Sequence, residues 1–170
     1  MIIIVKNRFC KKLFLDEAGK QLAILRRAKL FGAEKVVIGP DKIVKHETGI
    51  QNLPQKPAGE NRRYIIKQGG MTVVTARPVY AADADHFAIP NPPRSVGLAI
   101  QIQDGPQWRV KRSKKNTVKI WTPDGVGKLP DFFSLRAQAF ELPDGSDIFL
   151  WAGVYAMIDY MMHEDDTYLV

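Results

Sequence analysis

Cysteine is nearly absent: Cys10 is the single one in 170 residues, so no disulfide can form within the chain and a reducing compartment is expected. Cys10, beside Lys11 and Lys12, reads as a small strand residue rather than a reactive thiol. Long apolar runs are absent too. The longest, Ile148–Ile158, has eleven residues, about half of the ~20 needed to span a bilayer. Met1-Ile2-Ile3-Ile4-Val5 is too short for a signal peptide and is interrupted by Lys6 and Arg8. With no glycine at position 2 and no prenylation box, no lipid anchor is expected, and the expected location is the cytoplasm.

The residues of familiar chemistry are scarce as well. His46, His86 and His163 lack His-x-x-x-His spacing and a nearby cysteine, which argues against zinc. No Gly-x-Ser-x-Gly, phosphate loop or dinucleotide fingerprint occurs, and Gly125-Val126-Gly127-Lys128 has only the tail of a phosphate loop. Asp83-Ala84-Asp85-His86 reads as a solvated loop before it reads as a metal or acid–base site. No catalytic residue, cofactor or metal is therefore assigned, and the expectation leans away from an enzyme.

What is present is a folding composition, 45% hydrophobic and 25% charged, enough for one domain over 1–170 with a core of its own. The net charge of +7 is unevenly spread. Residues 1–45 carry eleven Lys/Arg against four Asp/Glu; 109–119 carry six cations and no acid; 120–170 reverse to two cations and nine acids. Such poles suit a polyanion or an anionic headgroup surface, or simply face water.

Turn signals set the fold class. Asp-Gly recurs at 104–105, 124–125 and 144–145, and Gly39-Pro40-Asp41, Gly69-Gly70 and Pro123-Asp124 add further turns. Between them lie short strand-like runs: 2–9, 35–38, 42–45, 63–67, 71–77, 96–103, 107–112 and 117–121. Many short strands with turns about every ten residues indicate a barrel or sandwich. Residues 16–32 admit two readings: a capped amphipathic helix ended by Gly32, or a hairpin turn at Asp16–Gly19 with a returning strand at Gln21–Arg27. Gly19 inside the supposed first turn favours the hairpin. Segments 46–61 and 78–95, both proline-bearing, read as long loops.

Near the C-terminus, Ser146 or Asp147 offers an N-cap to a helix at about 147–163. Residues 148–162 have one charged side chain, Asp159, and no polar face, so the helix must be buried on all sides. At ~22 Å it suits the axis of a barrel, and Ala152, Gly153 and Ala156 would let strands approach closely. Asp159 reads as a buried acid held by backbone or arginine partners.

A strand meander, a Lys/Arg-bearing central β region and a terminal helix reading Val154-Tyr155-Ala156-Met157-Ile158-Asp159-Tyr160-Met161-Met162 together resemble the Tubby C-terminal-like superfamily. The chain looks most like its LURP-one-related branch, to which phospholipid scramblases are also similar. The resemblance implies a mainly β fold, a closed antiparallel barrel of about 10–12 strands around a buried C-terminal helix. It also implies anion binding, since Tubby proteins bind phosphoinositides through basic residues that include a Lys-x-Arg pair on a strand. Lys6-Asn7-Arg8 has that form and Arg109-Val110-Lys111-Arg112 is similar to it. The proline-rich N-terminal region and palmitoylated cysteines of the scramblase branch are missing, so scramblase activity is not expected.

The resulting expectation is a non-enzymatic binding protein whose basic face, Lys6, Arg8, Arg109, Lys111, Arg112, Lys114 and Lys115, meets an anionic membrane surface or a protein partner. One alternative is a small-ligand binder or enzyme that uses the 78–95 loop over a barrel mouth. Another is nucleic-acid binding by the 109–119 hairpin, which Trp108 and Trp121 bracket, although those tryptophans read more plainly as barrel filling.

Overall fold

The computed structural model describes residues 1–30, 32–53, 62–84, 94–113, 116–134 and 136–163. In chain order the strands are β1 (Ile2–Arg8), β2 (Lys11–Leu15), β3 (Gln21–Arg27), β4 (Lys35–Ile38), β5 (Val44–Asn52) and β6 (Arg62–Gln68). They continue with β7 (Met71–Val79), β8 (Gly97–Ile102), β9 (Gln107–Arg112), β10 (Val118–Thr122), β11 (Gly125–Leu129) and β12 (Gln138–Glu141), followed by the helix α1 (Ile148–Met162). Each strand pairs antiparallel with its sequence neighbours, and β12 returns to β1, with Ile3 opposite Phe140. The closed barrel leaves no free edge.

Period-two alternation builds the wall. On β1, Ile3 and Val5 are buried while Lys6 and Arg8 face out; on β9, Trp108 and Val110 are buried between exposed Gln107, Arg109 and Lys111. The hairpin reading of residues 16–27 holds: the Gly19 amide donates to the Asp16 carbonyl, and Gly19 sits at φ +82°, which a residue with a Cβ adopts only under strain.

The inward side chains enclose α1. Asp147 caps it by accepting from the Phe149 amide at 2.8 Å, and eleven of its fifteen residues are buried. It lies against β3, β4, β5 and β6, and it runs close to the wall at Gly153, where a Cβ would stand 2.8 Å from Ile66 Cδ1, the end of that side chain. Trp151 meets Trp108 at 5.0 Å between ring centroids, and Tyr155 meets Phe14 edge-on at 5.5 Å.

Three expectations need correction. Residues 46–52 are not loop but most of β5, whose inward positions are His46, Thr48 and Ile50; with a histidine and a threonine at the first two places the apolar alternation is hidden. Lys42 belongs to a turn at φ +64°, and Pro78 and Val79 close β7. Trp108 fills the barrel, but Trp121 lies on its outer face with 38% exposure.

Candidate anion-binding site

Because the barrel is a simple meander, its connections alternate between two ends. The β2–β3, β4–β5, β6–β7, β8–β9, β10–β11 and β12–α1 links share one end, and α1 starts there. That end carries Asp16, Glu17, Asp41, Asp104, Asp124 and Asp144 among its links, with Asp147 on the helix N-terminus, where a negative charge is favoured. The opposite end receives the C-terminus of α1, and a cluster of cations lies there.

At this second end an open cavity of about 790 Å³ penetrates between the strands and the last turn of α1. Among the described residues that line it, seven are Lys or Arg, against one acid, Asp159. They come from short, neighbouring strand ends: Arg8 from β1, Lys11 and Lys12 from β2, Arg26 and Arg27 from β3, Lys35 from β4 and Arg62 from β6. Register places Arg8 opposite Lys11, and Lys11 opposite Arg26, so three cations stand abreast at the lip. Like charges directly across a strand pair oppose folding, which makes this row a feature that a bound anion would relieve.

Deeper in the cavity, the chemistry centres on α1. The Lys35 ammonium donates to the Asp159 carboxylate, Lys12 Nζ stands 3.7 Å from Asp159 Oδ1, and His163 Nδ1 stands 3.6 Å from the same oxygen. Burial alone would raise the Asp159 carboxyl, but the Lys35 and Lys12 charges outweigh it and hold the group below the usual carboxylate range. Burial pulls Lys35 the other way, below the usual lysine range, against the attraction of Asp159. Both lysines also lie over aromatic faces, Lys35 at 4.3 Å from the Tyr160 ring centre and Lys12 at 5.3 Å from that of Tyr155. The Tyr160 hydroxyl donates to the Ala33 carbonyl at 2.6 Å, fixing the β3–β4 loop to the helix. One carboxylate facing two lysines leaves a cationic surplus, and the cavity suits an anion such as a phosphate group.

The basic residues expected from sequence divide between two places. Arg8 lines the cavity. Lys6 faces out from β1, and Arg109 and Lys111 face out from β9, four strands away around the barrel. Arg112 donates to Asn116 Oδ1 at 3.3 Å, while Lys114 and Lys115 lie outside the described residues, as do Asp85, His86 and the rest of 85–93 in the 78–95 segment. On the outer face, Lys111 stands opposite Lys119 and Lys119 opposite Lys128, a second row of cations ended by Glu141. Reasoning from motifs passed over Lys11, Lys12, Arg26, Arg27, Lys35 and Arg62; the signal that contained most of them was the charge surplus of residues 1–45. Asp159 was visible as the one acid of an apolar helix, and its partners are lysines rather than arginine or backbone. Among the described residues, no group of three or more His, Cys, Asp or Glu side chains could hold a metal ion.

No family model matches the chain. A stretch of acetyl-CoA carboxylase from Schizosaccharomyces pombe is 26% identical over 161 residues, which is 92% of this chain but 6% of that enzyme. The X-ray structure of a protein from Arabidopsis thaliana superposes with a TM-score of 0.61 over 93% of this chain and 88% of that one, at 11% identity. That likeness shows the fold alone, here a closed twelve-stranded barrel with a buried C-terminal helix.

Proposed function

We propose that this protein is a non-enzymatic binding protein of the LURP-one-related kind. In this reading its basic end docks on anionic lipid surfaces and its cavity receives a phosphorylated headgroup. The observation that carries the reading is the cavity itself, where among the described residues seven Lys/Arg surround one acid at the barrel end opposite the acidic links. Each cation near an anionic bilayer contributes ~1 kcal/mol, within a Debye length of ~10 Å at 0.1 M salt. Cations gathered on one end add their contributions, whereas a belt around the barrel would not. Co-sedimentation with neutral and anionic vesicles tests it. Binding should require anionic lipid, weaken with salt and fall in Lys11→Ala/Arg26→Ala/Arg27→Ala; equal, negligible binding to both vesicle types would refute it.

A second reading has its own observation. Trp121, 38% exposed on β10, stands opposite Arg109 and one rung from the Lys111–Lys119–Lys128 row. An exposed aromatic beside a line of cations suits single-stranded nucleic acid, and a gel shift lost in Trp121→Ala is its test.

A further inference from the structure

We infer that two apolar loop tips at the basic end, Phe9 and Leu30, insert into the bilayer and stand the barrel on the membrane with its cavity facing the headgroups. This inference rests on the anionic-surface reading above. Phe9 is 96% exposed and Leu30 81% exposed, the two most exposed large apolar side chains among the described residues. Phe14, Phe132 and Phe140, by contrast, are all within 4% of full burial.

Position gives the exposure its meaning, because single exposed apolar residues are ordinary. Phe9 and Cys10 form the two-residue link between paired Arg8 and Lys11, and Cys10 takes φ +56°. Such tight links usually carry Asn or Gly. Here the first position is a phenylalanine that touches no core and is held outward by the turn. Leu30 occupies the β3–β4 loop, on the hairpin next to it around the barrel. Each tip therefore rises beside cations of the cavity lip, Arg8 and Lys11 for Phe9, Arg26 and Arg27 for Leu30. Lys29, beside Leu30, is paired with Glu34 at 3.6 Å. Apolar tips ringed by cations match a bilayer with anionic headgroups: the tips enter the acyl boundary while the charges stop at headgroup depth. Met71 and Ile43 are exposed too, but on the opposite end, where Asp41 and the other acids would be repelled from such a surface. Charge complementarity thus selects one end of the barrel and one occupant.

The lone cysteine supplies the probe. An environment-sensitive fluorophore on Cys10, which is exposed, should shift to the blue and become protected from an aqueous quencher on vesicles of mixed phosphatidylcholine and phosphatidylserine. The same label on Met71→Cys in a Cys10→Ser background should do neither. Phe9→Ser and Leu30→Ser should each lower vesicle partition roughly tenfold at high salt, where attraction between charges is screened, with unchanged thermal melting. Salt-sensitive vesicle binding without a shift at Cys10, or high-salt partition unchanged in both serine variants, overturns insertion while leaving the anionic-surface reading intact. Failure of the unmodified protein to bind anionic vesicles at low salt overturns both. A Cys10 label that shifts equally on neutral vesicles would show apolar adsorption with no part for the cations, and it too overturns the inference.

Discussion

Asp159 on α1 and Lys35 on β4 form an ion pair that joins the helix to the barrel wall at the floor of the cavity, with Lys12 3.7 Å away on the other carboxylate oxygen. Removing the carboxylate leaves two lysines facing each other with their side chains at least three-quarters covered. Asp159→Asn should therefore cost about 3 kcal/mol of stability, the lower end for breaking a buried pair because the cavity admits water. Lys35→Met should cost less, since Lys12 and His163 still face the carboxylate. Urea unfolding of both variants measures this, and an Asp159→Asn protein as stable as the parent would show that the pair is incidental.

The same geometry sets a pH profile with two windows. Asp159 has a folded pKa held below its ordinary value of 3.8, so the unfolded chain takes up that proton first. Its stabilisation is complete above 3.8 and is lost as pH falls through the lower folded value. His46, inside the barrel, is depressed from 6.5 by burial, against the opposing pull of Asp147. Stability should accordingly begin to fall below pH 6.5 and go on falling toward the lower folded value. Thermal melts between pH 7 and 5 should show this decline in the parent and a flatter profile in His46→Phe, which carries no proton; parallel profiles would exclude His46 as its source.

Two glycines predict opposite outcomes for the same substitution. A Cβ on Gly97 would stand 2.1 Å from the Val110 carbonyl oxygen, a backbone atom fixed by the β8–β9 ladder. On Gly153 it would meet the end of the Ile66 side chain, which can rotate, and alanine brings about 1 kcal/mol of helix propensity. Gly97→Ala should lower the melting temperature by about 4–8 °C or more, roughly 2 kcal/mol or above, while Gly153→Ala should stay within about 1 kcal/mol of the parent. Comparable losses in the two would mean that the helix packs against the wall more rigidly than its side chains indicate.

Much of this architecture could be read from residues alone. α1 was legible because Ile148–Met162 offers no polar face, and β9 and β10 because Trp108-Arg109-Val110-Lys111 and Val118-Lys119-Ile120-Trp121 alternate cleanly. β5 was not, since it buries His46, Thr48 and Gly49, and the four-residue β12 buries only Phe140. The cavity was harder still. Its cations are supplied by the ends of β1, β2, β3, β4 and β6, at separations no linear motif spans, and only barrel closure sets them around one opening. The basic run of 109–119 is conspicuous in sequence, and its described cations, Arg109, Lys111, Arg112 and Lys119, lie on a different part of the wall.

That division between the two basic regions yields the last prediction. Lys11, Arg26 and Arg27 share the cavity and its lip; Lys111, Lys119 and Lys128 form a row on the outer face of β9, β10 and β11. Both sets remove three positive charges when changed to alanine, so net charge falls equally, and any difference between them reports position. A surface attracts charges that lie within about a Debye length of it, ~10 Å at 0.1 M salt. With Phe9 and Leu30 down, the lip lies inside that distance, whereas the outer row, one residue from its strand ends, sits on another part of the rim, with β9 four strands from β1, faces outward and ends beside Glu141. The lip triple should consequently lose most binding to anionic vesicles, on the order of 100-fold at 0.1 M salt if each contact is worth ~1 kcal/mol. The outer-row triple should lose several-fold at most. If instead the outer-row triple loses more, the barrel lies on its side, and the β9–β11 face, with Trp121, becomes the docking surface.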